Sequence, residues 1–165
     1  MRFEVIQRFR STADAVERAY ADEALYPTLV GLPKLGGIEL LDETRSGDVV
    51  RIRARYRFTG HLPGAVTAVV DPERLTWVQD SSHDLGTGEA TFILLPDHYP
   101  DRLSASGTYA VEAVGDASRR VVRGDLKVRA PLVAGRVEKA IVSGLQEYLE
   151  AEAPRVDTWI DRPAP

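Results

Sequence analysis

The last third of the chain carries the pattern that most constrains its fold: one long amphipathic helix follows a body composed mainly of strands. Small and apolar residues recur there at three- and four-residue steps, the spacing of one helix face. They are Val133, Val137, Ala140, Ile141, Gly144, Leu145, Tyr148 and Leu149, and the polar residues Arg136, Lys139, Ser143, Gln146, Glu147 and Glu150 collect on the opposite side. A lone helix with so wide an apolar face needs a large surface beneath it. A straight helix across a curved sheet leaves an apolar hollow, as small-molecule sites require.

Two prolines set the expected limits of this helix. Pro131 is predicted in its first turn, where a missing amide hydrogen costs little. Pro154 interrupts the hydrogen-bond pattern, yet Val156, Trp159 and Ile160 return to the apolar stripe. A kinked continuation and a stop at Pro154 therefore both remain open.

Composition bounds the class of protein. The chain has 165 residues, 44% of them hydrophobic, which predicts a single domain over 1–165. A net charge of −4 disfavours nucleic acid as a partner. The absence of cysteine excludes disulfides, thiolate metal sites and cysteine nucleophiles. No apolar run resembles a signal peptide or approaches the roughly 20 residues of a membrane span, so we expect a cytoplasmic protein without integral membrane association.

The body of the chain shows mainly the period-two alternation of strands. A strand at Arg2–Phe9 leads to a helix capped by Ser11 or Thr12 and then to a second short helix. Their buried residues should be Val16, Ala19 and Tyr20 in the first, and Leu25, Leu29 and Val30 in the second. Further strands are predicted at 38–43, 49–59, 74–81, 89–95, 102–114 and 118–130, and a short helix within 62–70 at the rim of the sheet. Turn sequences at 45–48 and 115–116 predict hairpins and a largely antiparallel sheet.

This order of elements resembles the START-like (SRPBCC) superfamily, also called the helix-grip or birch-pollen-allergen fold, over essentially the whole chain. A closer similarity to a bacterial family of uncharacterised proteins rests on three segments: Leu62-Pro63-Gly64, the strand carrying Trp77, and Pro131 to Glu138. The resemblance implies an α+β fold in which a curved antiparallel sheet of about seven strands wraps around the C-terminal helix, with two short helices between strands 1 and 2. It also implies a deep cavity, which superfamily members use for lipids, sterols, hormones or polyketides. Some members are cyclases or hydrolases.

Aromatic and apolar residues at inward strand positions could form the wall of such a cavity. We predict that the ligand-binding residues are Tyr56, Phe58, Trp77, Phe92, Leu94 and Tyr109 on the sheet, facing Val137, Ile141 and Tyr148 on the helix. Tyrosine and tryptophan add a polar group to an apolar surface, which suits a ligand with one or two oxygens. The alternative is a filled core with no cavity.

Glu138 is also a candidate, because helical projection places it inside the apolar arc. A buried carboxylate is costly unless it is paired or hydrogen-bonded. The favoured interpretation is structural, a pair with an arginine or hydrogen bonds to backbone amides near the start of the helix. The functional alternative is a polar anchor or general base at one end of the cavity.

Four alternate arginines, Arg51, Arg53, Arg55 and Arg57, share one face of a strand. They could form a surface for an acidic partner. We favour a solvated convex face on which they pair with acidic residues such as Asp125, Glu89 or Glu112, because the chain is acidic overall.

The remaining polar motifs do not predict catalysis. His61, His83 and His98 fall in predicted loops or strand ends, without the spacing of a metal site. The segment 80–84 is interpreted as a polar strand end and turn, and 86–88 as a flexible turn. We therefore predict no catalytic residue, no metal and no cofactor.

The leading functional prediction is binding, with transport or sensing as the purpose, of a small hydrophobic or amphipathic ligand such as a lipid. The first alternative is a cyclase- or dehydratase-type enzyme acting on an aromatic or polyketide-like substrate. The second is an interaction module with a collapsed cavity, whose arginine face binds an acidic partner.

Overall fold

Strands and helices follow one another along residues 1–68 and 70–163, which the computed structural model describes. The elements are β1 Arg2–Phe9, α1 Ala13–Tyr20, a 3₁₀ turn Glu23–Thr28, β2 Leu35–Ser46, β3 Val49–Phe58, α2 Gly64–Thr67, a 3₁₀ turn Pro72–Arg74, β4 Thr76–Asp84, β5 Glu89–Pro96, β6 Leu103–Val114, β7 Ala117–Val128 and α3 Ala134–Ile160. The strands of this described part form one antiparallel sheet in the order β1-β7-β6-β5-β4-β3-β2. This is the predicted α+β helix-grip architecture, with short helices between β1 and β2 and one long C-terminal helix.

Glycines close the two predicted hairpins. Ser46 pairs with Val49 across the β2–β3 turn, and Gly47 has a φ of 58°. The β6–β7 turn has the same length, and there Gly115 has a φ of 62°. Residues with side chains disfavour this left-handed region, so glycine allows both strand pairs to close through two-residue loops.

The connection from β1 to β2 carries the chain between opposite edges of the sheet. Thr12 caps α1 by accepting a hydrogen bond from the Ala15 amide at 3.4 Å, and the predicted inward residues of α1 are buried. Leu25 and Leu29 are buried as well, but Val30 is 55% exposed. The prediction for Val30 was wrong because the 3₁₀ turn ends at Thr28, so helical spacing does not extend to it.

The long helix begins later than Pro131 suggests, and at Pro154 it follows the continuation, one of the two outcomes left open. It starts at Ala134 rather than in the turn of Pro131, because Leu132 has a φ of 66°, which no right-handed helix contains. It passes through Pro154 and continues to Ile160. Pro154 lies on the exposed side, where water can hydrogen-bond the carbonyl that it leaves unpaired.

A buried carboxylate ties the end of α3 to the junction of β1 and α1. The oxygens of Asp157 accept hydrogen bonds from the Arg10 amide at 3.0 Å and from the Ser11 hydroxyl at 2.7 Å. These bonds fix the C-terminal end of the helix against the first edge of the sheet.

Arg51, Arg53 and Arg55 of β3 form ion pairs, but not with the predicted partners. Arg51 Nε donates to Asp80 Oδ1 at 2.7 Å, and Arg55 forms salt bridges with Asp97 and Glu39. The predicted acidic residues lie on β5, β6 and β7, whereas the neighbours of β3 are β2 and β4. The choice of partners was wrong because it depends on a strand order that the sequence pattern does not contain.

The short helix expected at the rim is α2, which buries Val66. Val69, in the same apolar segment, lies outside the described residues. The segment 86–88 forms the predicted turn between β4 and β5, where Asp84 Oδ1 accepts from the Gly86 amide at 2.9 Å.

Candidate functional site

A cavity of about 190 Å³ lies between the concave face of the sheet and α3. The predicted wall residues that line it are Tyr56, Phe58, Trp77, Phe92, Leu94, Tyr109, Val137, Ile141 and Tyr148. The rim on the α2 side is apolar, and Gly144 of α3 lies in the wall. The structure thus brings these side chains together around one hollow, and their role in ligand binding stays a prediction.

Glu138 does not belong to this lining. Its Oε1 accepts a hydrogen bond from the Val128 amide at 2.9 Å, at the end of β7. This agrees with the favoured structural interpretation, a hydrogen bond to a backbone amide near the start of the helix. Because its carboxylate is bound at the end of β7, the structure does not bring Glu138 together with the predicted wall residues.

Stacked aromatic pairs form much of the sheet side of the cavity. Tyr56 and Trp77 lie directly opposite each other on β3 and β4, with ring centroids 5.8 Å apart and an angle of 8° between planes. Phe92 stacks on Tyr109 at 4.7 Å. A Cβ on Gly107, opposite Phe92, would lie 2.7 Å from that ring, so the missing side chain lets the ring lie close to the sheet. The aromatic wall is therefore held in place by the sheet beneath it.

One end of the cavity is polar, and a hydrogen-bond network supports it from behind. Glu152 accepts from the hydroxyls of Tyr20 and Tyr148, each at 2.6 Å, and from Gln7 Nε2 at 2.9 Å. The amide oxygen of Gln7 accepts from Arg120 at 2.8 Å. Gln7 therefore bridges the guanidinium on β7 and the carboxylate on α3.

Arg120 is held flat between two rings. Its guanidinium carbon lies 3.8 Å from the ring centroids of both Tyr20 and Tyr109, and the residue is only 4% exposed. Such stacking covers both faces of the guanidinium and leaves its edge for hydrogen bonds in the plane. Within residues 1–68 and 70–163, no carboxylate oxygen lies within 4.0 Å of its nitrogens.

The tyrosines around this end are hydrogen-bond donors at neutral pH. Burial raises the pKa of Tyr20, Tyr56 and Tyr148 well above the usual value for tyrosine. Burial also raises the pKa of Tyr109 to about 12, although the charge of Arg120 acts in the opposite direction. Their hydroxyls therefore keep their protons. Tyr20 and Tyr148 already donate theirs to Glu152, so the hydroxyls of Tyr56 and Tyr109 are the ones left to donate to an acceptor oxygen of a ligand.

His83 joins the same lining, which corrects the interpretation of segment 80–84. That segment is not a turn, because β4 extends to Asp84 and directs Ser81 and His83 to the inner face. The His83 ring stacks on Tyr109 at 6.2 Å, and its Nε2 lies 3.3 Å from the Ser81 hydroxyl. Burial, with the nearby charge of Arg120, lowers the pKa of His83 to about 4. The imidazole is therefore neutral at pH 7.

This arrangement can surround an apolar body and offer a positive charge and the hydroxyls of Tyr56 and Tyr109 to oxygen atoms at one end. Within the described part of the chain, no group of three or more His, Asp or Glu side chains could hold a metal ion. The chemistry available here consists of hydrogen bonding, charge and apolar contact.

Sequence reasoning missed the residues of the polar end, although signals for them exist. Gln7 lies between the inward residues Val5 and Phe9, and Arg120 is two positions before the inward Val122. Glu152 follows Tyr148 by four residues, so it continues the apolar stripe of α3. In each case the position in the element's period predicts burial, and only the polar residue type argues against it.

The fold is of the START-like, helix-grip type, and solved structures share it. Zhui aromatase/cyclase from Streptomyces sp. R1128 aligns with a TM-score of 0.66 and 17% identity, covering 98% of this chain and 94% of that chain. Norcoclaurine synthase from Thalictrum flavum aligns with a TM-score of 0.61 and 16% identity over 97% and 86% of the chains. A START superfamily protein from Mycobacterium smegmatis aligns with a TM-score of 0.59 and 14% identity over 96% and 98%.

Within that fold class, the chain belongs to the family described as "Protein of unknown function (DUF2505)", whose model matches residues 4–160. Among curated proteins, none matches the chain significantly in sequence. None of the helices in the described part of the chain is both long enough and apolar enough to cross a membrane.

Proposed function

We propose that this protein binds a small, mainly apolar molecule in the cavity between the sheet and α3, as a carrier or a sensor does. The observation that carries the proposal is a hollow between the sheet and α3 that is apolar along most of its wall and polar at one end. Pockets that combine an apolar wall with a few convergent polar groups are typical of small-molecule sites.

The volume of the cavity limits the size of the ligand. Its volume of about 190 Å³ is below the roughly 300 to 1,000 Å³ of pockets for drug-sized molecules. It exceeds the roughly 150 Å³ of an engineered protein cavity that binds benzene. A ligand built on a single substituted ring fits this volume, whereas a sterol or a long-chain lipid requires the helix to move away from the sheet.

A second candidate is a cyclase- or dehydratase-type enzyme. Arg120 and the neighbouring tyrosine hydroxyls could stabilise an oxygen that becomes negative during a reaction, and two of the similar structures carry the names of enzymes. Binding without chemistry is favoured because the obvious base is already engaged: both oxygens of Glu152 accept hydrogen bonds. The low pKa of His83 makes it a weak base.

The interaction-module alternative has less support. It needs a collapsed cavity and an uncompensated arginine face, yet the hollow is open, and Arg51 and Arg55 have acidic partners.

Fluorescence provides the test, because only one of the two tryptophans lines the cavity. Trp77 lies in its wall, whereas Trp159 packs under the guanidinium of Arg162 at 3.5 Å. A Trp159→Phe variant therefore isolates the emission of Trp77. We expect saturable changes when single-ring aromatic compounds are added, and co-purification of such a compound in native mass spectrometry.

The matched control is Trp77→Phe, whose remaining Trp159 should not respond to the same compounds. If no compound in a broad panel of single-ring acids, amides, alcohols and hydrocarbons changes Trp77 emission, the proposed function is contradicted.

A further inference from the structure

Resting on the proposed function, we infer that the ligand is an organic anion: a carboxylic acid on a small apolar body, whose two carboxylate oxygens bind the edge of Arg120. The geometry of the polar end carries this inference in three steps.

The first step is the cost of the buried charge. An arginine stays protonated inside proteins, and a buried charge is unfavourable unless it is paired and hydrogen-bonded. Arg120 is 4% exposed, and no described carboxylate lies within 4.0 Å of it. Its contact with Glu152 passes through the amide of Gln7. Among the described residues, the positive charge therefore has no carboxylate in direct contact as a counter-ion.

The second step is the orientation of the guanidinium. The rings of Tyr20 and Tyr109 cover its two faces, so new hydrogen bonds can form only along its edge. One edge nitrogen donates to Gln7, and the residue forms part of the cavity wall. A planar carboxylate entering from the cavity meets this edge in the plane that paired hydrogen bonds require.

The third step excludes a cationic ligand. Glu152 already accepts three hydrogen bonds, from Tyr20, Tyr148 and Gln7. Moving it toward a ligand cation or toward Arg120 would break them. The other polar groups of the lining, neutral His83 and the protonated tyrosines, add no negative charge.

The experiment compares acids with amides of the same shape. Phenylacetate and benzoate are titrated against phenylacetamide and benzamide, by calorimetry or by Trp77 fluorescence. A charge-assisted pair predicts that the acids bind about tenfold more tightly or better. Arg120→Gln should remove this preference, while Arg123→Gln should preserve it. Arg123 is on the same strand but on the exposed face, paired with Glu4 at 2.7 Å.

A second measurement uses the unmodified protein, so it does not require the Arg120→Gln variant to fold. The side-chain Nε–H resonance of Arg120 in the unmodified protein should shift on addition of phenylacetate and stay in place with phenylacetamide. Equal affinities for acids and amides, or an Arg120 resonance that does not respond to the acid, would overturn this inference and leave the proposed function intact. Binding of no compound would overturn both.

Discussion

The hydroxyl of Tyr20 donates to Glu152 Oε2 at 2.6 Å across 132 residues of sequence. This bond joins α1 to α3 at the polar end of the cavity. The same tyrosine supports Arg120 with its ring, so one side chain contacts both charges of the site. The cavity is consequently built on a network that also contributes to folding.

Tyr20→Phe should destabilise the protein while keeping the ring that stacks on Arg120. The acceptor of the lost hydrogen bond is a buried carboxylate, and hydrogen bonds to charged groups contribute about 1.5 to 3 kcal/mol to stability. Denaturant unfolding measures the change. The control is Tyr99→Phe. The Tyr99 hydroxyl accepts from the exposed Asp71 amide at 3.3 Å, so its removal should change stability by less than about 0.5 kcal/mol. A Tyr20→Phe loss as small as that of the control would contradict the network.

Stability should fall as the pH falls from about 6.5 to about 4, because His83 resists protonation in the folded protein. Burial and the charge of Arg120 lower its folded pKa to about 4, whereas an unfolded histidine titrates near 6.5. The unfolded state therefore binds more protons in this window, which favours unfolding by about 3 kcal/mol at pH 4. The His83→Gln variant lacks this group, so it should lose less stability than the unmodified protein as the pH falls. Denaturant unfolding at several pH values measures both.

His61→Gln serves as the control for that series, because His61 is exposed in a loop. Its stability should track that of the unmodified protein across the window. A His83→Gln variant with the same pH dependence as the unmodified protein would show that His83 is not buried in this environment.

Gly144→Ala should stabilise the protein by about 1 kcal/mol, the usual helix propensity difference between the two residues. The added Cβ would lie 3.7 Å from Lys34 Cγ and 4.0 Å from Phe58, which is ordinary contact distance. Thermal unfolding measures the effect. A lower melting temperature would mean that α3 lies closer to the loop of Lys34 than in this structure.

Ala105→Leu should weaken ligand binding by filling the hollow. Ala105 lines the cavity from β6, so a larger side chain there occupies volume that the ligand needs. Titration with phenylacetate should show about a tenfold loss, while stability changes little, since an existing void accepts the extra carbons. Ser104→Leu on the exposed face of the same strand is the matched control. A severe loss of stability with unchanged binding would indicate that the core is filled there.

The periodicity of apolar residues predicts most of the helices and strands of this protein. The apolar stripe of α3 and the alternation of the strands each reflect burial of one face, which is a local property of the sequence. The nine apolar and aromatic residues predicted for the cavity wall reach it for the same reason. The family resemblance rests on the order of these elements, and it added the curved sheet and the cavity.

The polar end could not be derived in this way, because its residues meet only through tertiary pairing. Gln7, Arg120 and Glu152 come from β1, β7 and α3, and their contact depends on β1 lying beside β7 at one edge of the sheet. The same limit explains the wrong partners of the β3 arginines. Glu138 shows the converse, since its position in the apolar arc is explained by one backbone hydrogen bond to Val128.

The most direct test of the central claim is an isotope-filtered NMR experiment that detects contacts between bound phenylacetate and methyl groups of the protein. A ligand in the cavity should give nuclear Overhauser effects to Ala105 on the sheet and to Val137 and Ile141 on α3. Effects confined to Ile93 and Leu95, which are exposed on the outer face of β5, would contradict a ligand site between the sheet and the helix.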